Sequence, residues 1–409
     1  MPEVERAVER AYRESSGSIR ARLVRTLRDF ELAEEIVHEA FAAALSQWPS
    51  AGLPDDPSAW LMRTAQNKAI DLIRHRAGAA EKLSELALLA SELETDEDAA
   101  SEDDMLRLIF TCCHPAIAPE GQVALTLQTV CGLRSEEIAR AFLVSPTTMA
   151  QRLVRAKRKI RDAGIPYQVP DATLLPSRVS SACTTVYLVF NEGYAATTGA
   201  ELVRGELCNE AIRLGRLLDA LLPGRADIEG LLGLMLLIDA RRATRVDEAG
   251  VPILLEDQDR SRWNAAQIAE GAALVLRSLT HGATSFGVQA AIAALHAQAP
   301  SSAATDWRQI VALYDRLLTL QKGPIVVLNR AAAVAMADGP EAALRLLDAL
   351  DAGGALVDYH LFHAARADVL RRLGRSEAAL AAYGRALELV SNDPERRFLQ
   401  GRIALLTPS

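Results

Sequence analysis

The stretch RSEEIARAFLVSPTTMAQRLVRAKRKI, residues 134–160, leaves little freedom in how it folds. Ser135 can cap a first helix over Glu136 to Phe142, with Ile138, Ala139 and Phe142 turned inward. LVSP then makes a turn. Ser145 caps a second helix, and Pro146 takes its first position, where a missing N–H is no loss. That second helix is expected to bury Met149, Leu153, Val154 and Ile160 and to turn Thr147, Thr148, Gln151, Arg152, Arg155 and Lys159 outward. The pattern is helix–turn–helix. A helix presented this way fits the major groove of DNA, with its N-terminal residues at base edges and later arginines on phosphates. A solvated basic face on an ordinary helix is the alternative, but it gives no reason for the capped turn or for six bases from Arg152 to Arg161 with no acid among them.

Those bases stand in a 409-residue chain whose formal net charge is −8. Local patches decide phosphate affinity, so acidity of the whole does not exclude nucleic acid. Upstream the balance reverses: residues 81–104 hold ten acids and one base, Lys82. This segment is expected to be a linker. Before it, ELAEEIVHEAFAAALSQW (31–48) places Leu32, Ile36, Val37, Ala40, Phe41, Ala44, Leu45 and Trp48 on one helical face. Three prolines and a glycine make 49–58 a loop. A further helix, 59–76, starts at a Ser58 cap and turns basic toward its end, with Trp60 read as core.

Half the residues are hydrophobic and only 5% aromatic, a mix suited to helices. The expected fold class is therefore all-α. Residues 1–77 form a small helical bundle, 78–104 an acidic linker, 105–168 the helix–turn–helix domain and 169–409 a helical extension. Within the extension, DGPEAALRLLDAL (338–350) recurs with one insertion as LGRSEAALAAYGRAL (373–387). Ala343 pairs with Ala379, Leu344 with Leu380 and Leu347 with Tyr383, so 325–409 reads as tetratricopeptide-like. The start shows no apolar leader segment, GLLGLMLLIDA (230–240) is too short to span a bilayer, and five cysteines make no secreted disulfide framework. A soluble cytoplasmic protein is expected.

Two basic helical modules joined by an acidic tether resemble the bacterial extracytoplasmic-function sigma factors over residues 1–165, through EEIVHEAFAAALSQWP, AWLMRTAQNKAIDLIRHR and EEIARAFLVSPTTMAQRLVRAKRKI. The remainder, with YLVFNEGYAATTGA, LMLLIDARRATR, LEDQDRSRWN and VLNRAAAVA, looks like the extension of one subgroup, group forty-two. The resemblance implies that the chain binds core RNA polymerase at the β′ clamp and β flap, together with promoter DNA. It places Glu34, Glu35, His38 and Glu39 against the clamp, although the family commonly has Gln where His38 stands. The 49–58 loop falls where sigma factors hold a flipped −10 base. Arg63, Asn67, Lys68, Arg74 and Arg76 are the implied −10 contacts, with Gln66 where the family favours Arg. Thr148, Gln151, Arg152, Arg155 and Lys157 match the family's −35 contacts, beside Thr147 and Lys159. Ala150 stands where many relatives carry Arg or Lys, which implies a different −35 preference. The extension is expected to regulate in cis, with a regulatory protein or peptide as its partner.

No metal, cofactor or membrane is expected, and no enzyme activity. Cys112, Cys113 and His114, with Cys131, are read as structural because adjacent cysteines seldom share a tetrahedral ion. DQDRSRW (257–263) is charge-dense but lacks a nucleophile–base pair or ligand spacing, so it reads as an ion-pair network or a latch between helices. His281, His296, His360 and His363 are isolated. The competing function is a stand-alone helix–turn–helix regulator with a repeat domain that senses a ligand.

Overall fold

Apolar residues at steps of three and four recur along nearly every segment. The computed structural model, which describes residues 3–77 and 102–407, answers them with 18 α-helices and no strand beyond isolated bridges among those residues. The fold class is all-α, as the sequence implies. Most of the acidic segment, 78–101, lies outside the described residues. The chain divides into two units, residues 1–185 and 186–409.

In the first unit, α1 (Glu3–Leu27), α2 (Phe30–Ala51) and α3 (Pro57–Ala77) close around Ile19, Leu23, Val37, Phe41, Trp48 and Leu61. Asp29 caps α2, its Oδ1 accepting the N–H groups of Glu31 (2.9 Å) and Leu32 (3.1 Å). Asp56 rather than Ser58 caps α3, accepting the Ala59 N–H at 3.0 Å, while the Ser58 hydroxyl meets that of Ser15 at 2.6 Å. Trp60 packs half-buried, edge-on to Trp48. Leu45 leaves the expected apolar face and is 48% exposed. It sits one residue, about 100° of helix rotation, beyond Ala44, where the three-helix contact ends.

The helix–turn–helix module follows as α4 (Glu102–Cys112), α5 (Pro119–Thr129), α6 (Ser135–Ala141) and α7 (Pro146–Asp162). Ser145 caps α7 by accepting the Thr148 N–H at 3.0 Å. At α6 the cap lies one residue earlier than expected: Glu137 reaches back to the Arg134 N–H at 2.8 Å. Helix α7 buries Met149, Leu153, Ala156 and Ile160, a 4–3–4 spacing that leaves Val154 59% exposed instead of buried. Position 154 faces one step around from that seam, and Ala156 takes its place because the close approach to α5 suits a small side chain.

Helix α1 also packs against α4 and α5, so the two modules form one body. A Cβ on Gly17 would lie 2.5 Å from the Val130 carbonyl oxygen. Arg20, only 2% exposed, donates to the carbonyl oxygens of Thr129 (2.5 Å) and Gln128 (3.3 Å) at the C-terminal end of α5. The Tyr167 hydroxyl joins the Ala21 (2.7 Å) and Asp104 (3.1 Å) carbonyls.

The second unit takes up the end of α8 (Leu175–Tyr194), then α9 (Gly205–Leu221), α10 (Ala226–Asp239), α11 (Ala265–His281) and α12 (Ser285–Gln298). Between its acidic first turn and Asp239, helix α10 is apolar on all sides because α9, α11 and α12 surround it. Gly230 and Gly233 let α12 and α11 come within side-chain-free distance, a Cβ on Gly230 falling 2.5 Å from the Gly287 nitrogen. Then α13 (Trp307–Leu320), α14 (Pro324–Ala337), α15 (Pro340–Ala352), α16 (His360–Arg372), α17 (Ser376–Leu389) and α18 (Asp393–Ala404) pack each on the next. Two of the three repeated pairs are buried alike, Ala343 and Ala379 at 0% exposed and Leu347 and Tyr383 nearly so, while Leu344 is buried and Leu380 half-buried.

Two changes test this packing. Leu143, in the turn before α7, holds φ 48° and is 52% exposed, a left-handed conformation that costs an L-residue about 1–2 kcal/mol. Leu143→Gly is expected to raise stability by up to about 1 kcal/mol in urea denaturation. Gly17→Ala is expected to lower it by about 1–3 kcal/mol, because a backbone oxygen cannot rotate away.

Candidate nucleic-acid interface

Helix α7 is amphipathic by register. Its buried seam fixes the opposite side as a stripe in which Thr147, Gln151, Arg155 and Lys159 are exposed, with Thr148 and Arg152 half-buried beside them. Arg155 Nε bonds back to its own Gln151 carbonyl at 3.2 Å, which lays the side chain along the helix. Arg152, Arg155 and Lys159 border a concave space of 450 Å³ closed on its far side by Ala118, Glu120 and Gly121 at the start of α5. A helix N-terminus and three cations around one hollow suit a backbone phosphate, with Thr148 and Gln151 one turn nearer the base edges. No carboxylate among the described residues pairs with Arg152, Arg155 or Lys159.

Lys157 does not share this stripe. Two residues past Arg155, it is turned about 200° around the helix. Its ammonium forms an ion pair with Glu34 of α2, the two side chains being 13% and 18% exposed. Gln128 Nε2 donates to the other Glu34 oxygen at 3.0 Å. One residue expected on DNA and one expected on polymerase are thus bound to each other.

The remaining expected residues fall into two groups. On α2, Glu35, His38 and Glu39 are exposed on one side, with His38 against the Tyr12 hydroxyl at 3.5 Å. On α3, Arg63 and Asn67 are exposed one turn apart, and Lys68 pairs with Glu39 at 3.0 Å. Such a surface pair is worth little and releases readily. Arg74 and Arg76 fall in the last turns of α3, and their side chains lie outside the described residues. Gln128 and Arg20 were not expected at the junction. Their partners are 94 to 109 positions away, so nothing local signals them.

The cysteine cluster is core. Burial pushes the Cys112 and Cys113 thiols up, away from the thiolate a metal or redox role uses. His114 Nδ1 accepts the Ala116 N–H at 3.1 Å, and burial lowers its pKa. DQDRSRW is a latch and not an ion-pair network. Arg260 Nη1 holds the carbonyls of His296 (2.6 Å) and Ala299 (2.8 Å), and Trp263 Nε1 donates to Thr244 Oγ1 at 3.0 Å.

Three family models match the chain: Sigma-70 region 2 over residues 11–78, Sigma-70 region 4 over 107–160, and a family of unknown function, DUF6596, over 178–279. An uncharacterised protein of Rhizobium meliloti (strain 1021) is 43% identical over 385 residues, covering 92% of this chain and 90% of its own length.

Arg155→Ala and Lys159→Ala are each expected to weaken binding to duplex DNA and to lower the slope of log K against log salt by about 0.9. Lys157→Ala is expected to leave the slope of the free protein unchanged, since its ammonium is already neutralised by Glu34. Fluorescence anisotropy across a salt series measures all three.

Proposed function

We propose, from the Sigma-70 region 2 and region 4 models that match residues 11–78 and 107–160, that this chain is an alternative sigma factor of the extracytoplasmic-function kind, which recognises promoters with core RNA polymerase and whose helical extension regulates it in cis. The observation that carries the reading is the cationic stripe on α7, unpaired among the described residues, presented by a capped helix–turn–helix and preceded in the same chain by a second basic helical module. Glu35, His38 and Glu39 offer polymerase an acidic face on α2, which Glu34 joins once released from Lys157. Arg63, Asn67 and Lys68, continued by Arg74 and Arg76, meet the −10 region. Thr147, Thr148, Gln151, Arg152, Arg155 and Lys159 meet the −35 region, with Lys157 added after release. No covalent chemistry is assigned to the chain. No helix among the described residues is long and apolar enough to cross a membrane, and we assign the protein to the cytoplasm.

The junction between modules has a consequence for this role. By their names the −10 and −35 elements lie about 25 base pairs apart, roughly 85 Å at about 3.4 Å per base pair. Lys157 and Glu34 are in contact. Both modules therefore engage a promoter only after α1 and α2 release α4, α5 and α7, and docking of polymerase on Glu34 supplies a competing partner. The extension, whose α14–α18 stack we read as tetratricopeptide-like, offers a concave helical surface for a regulatory protein or peptide.

Transcription from a promoter library with purified core polymerase and this chain as sole sigma tests the reading. Specific initiation is expected, and failure to bind core would overturn it in favour of a stand-alone regulator. Truncation after residue 170 is expected to change promoter output; unchanged output removes regulation in cis. Glu34→Gln is expected to strengthen binding to −35 duplex without polymerase, and the exchange Glu34→Lys with Lys157→Glu to restore the weaker binding. Equal affinity in all three proteins would sink the release step.

A further inference from the structure

Three arginines stand together in the second unit, with no ion-paired carboxylate among the described residues to balance them. Arg241 and Arg245 follow α10, and Arg260 lies in the DQDRSRW latch. The guanidinium carbons of Arg241 and Arg245 lie 5.5 and 5.0 Å from the centre of the Tyr194 ring. Tyr194 is 7% exposed, and its hydroxyl has no hydrogen-bond partner. Arg260 stacks on Trp263 at 4.5 Å and leaves Nη2 buried and unpartnered. Arg245 Nε and His296 Nδ1 are in the same condition.

Among the described residues no carboxylate pairs with any of the three arginines. Glu395 is near enough to sense Arg245, but His360 Nε2 (2.9 Å) and Asn392 Nδ2 (2.8 Å) already hold it. Burial, with the Arg245 and Arg260 charges adding to it and Tyr194 opposing, holds the Arg241 guanidinium below its ordinary range. Burial and the charges of Arg241 and Arg260 push His296 down to about 4. Stacking on aromatic rings accounts for where the guanidiniums lie. It does not account for half-buried charges of one sign left without a counter-ion among the described residues, or for buried donor atoms left without acceptors.

We propose that Tyr194, Arg241, Arg245, Arg260 and His296 form a binding site for a doubly charged oxyanion, a phosphate or the phosphate group of a small ester. Three guanidiniums, one of them partly answered by Glu395, leave a surplus of two positive charges, which a dianion neutralises. Planar guanidiniums and a phenol supply the directed donors that tetrahedral oxyanions accept. The donors are held in advance: Arg260 by two carbonyls at the C-terminal end of α12, and the latch by the Trp263–Thr244 bond. His296 also lines a cavity of 330 Å³ with Trp307, Tyr314, Asn329 and Arg372, which provides room beside the cluster for the rest of an ester. Four of the five residues lie in the segment that matches the family of unknown function. The site is independent of promoter binding.

Calorimetric titration of the full chain with inorganic phosphate, ribose 5-phosphate and acetate tests this. Saturable binding of phosphate or of ribose 5-phosphate is expected, with acetate much weaker. Arg241→Gln is expected to weaken it about tenfold or more, the loss of one charge-assisted hydrogen bond. Tyr194→Phe keeps the ring and both stacked cations and removes only the hydroxyl, so it reports on the site even where Arg241→Gln does not fold. Tighter binding of ribose 5-phosphate assigns the 330 Å³ cavity to the ester; equal or weaker binding assigns the site to the free anion. No saturable binding of either phosphate, or binding undiminished in both variants, overturns the proposal.

Discussion

The first unit turns on α1, a helix buried from two sides. One side closes the core of the first three helices. The other sets Gly17 against the Val130 carbonyl and the Arg20 guanidinium against the last carbonyls of α5. A helix C-terminus carries partial negative charge, and a buried cation there satisfies oxygens that would otherwise have no donor. The contact needs both features, because only a glycine at 17 brings Arg20 close enough to reach. The spacing between the two basic modules, and so what each can touch, follows from it.

Charge works in this protein by place and not by sum. The chain is acidic, yet among the described residues no acid pairs with Arg152, Arg155 or Lys159, while Lys157 on the same helix is neutralised by Glu34. The same bookkeeping by neighbourhood separates the second unit's arginines. Arg216 and Arg330 have surface carboxylates, Arg277 pairs with Asp219 and the buried Glu229, and Arg242 pairs with the buried Asp239. Arg241, beside it in sequence, faces Tyr194 and two further guanidiniums. Consecutive residues on a helix end point in different directions, and here that difference separates a structural ion pair from a candidate binding group.

Much of the architecture was legible in the sequence. The period of 3.6 gave the helices of the first unit, Ser145 and Pro146 gave the start of α7, and the repeated small and large residues gave the equivalent burial of Ala343 with Ala379 and Leu347 with Tyr383. Where local reading missed, the cause was a neighbour. Leu45 and Val154 have the right residue type for a core but sit one position past the edge of the partner surface. Asp56 displaced Ser58 as a cap because Ser58 found Ser15.

The sequence alone determined helix content, the helix–turn–helix and its basic stripe, because those depend on residues three and four apart. Only the tertiary structure decided which of the six bases find an acid among the described residues and that three arginines share one half-buried neighbourhood. It also brought α2 against α7. Those facts rest on contacts such as Glu34 with Lys157, 123 residues apart, and a contact between distant positions leaves no period in the chain to read.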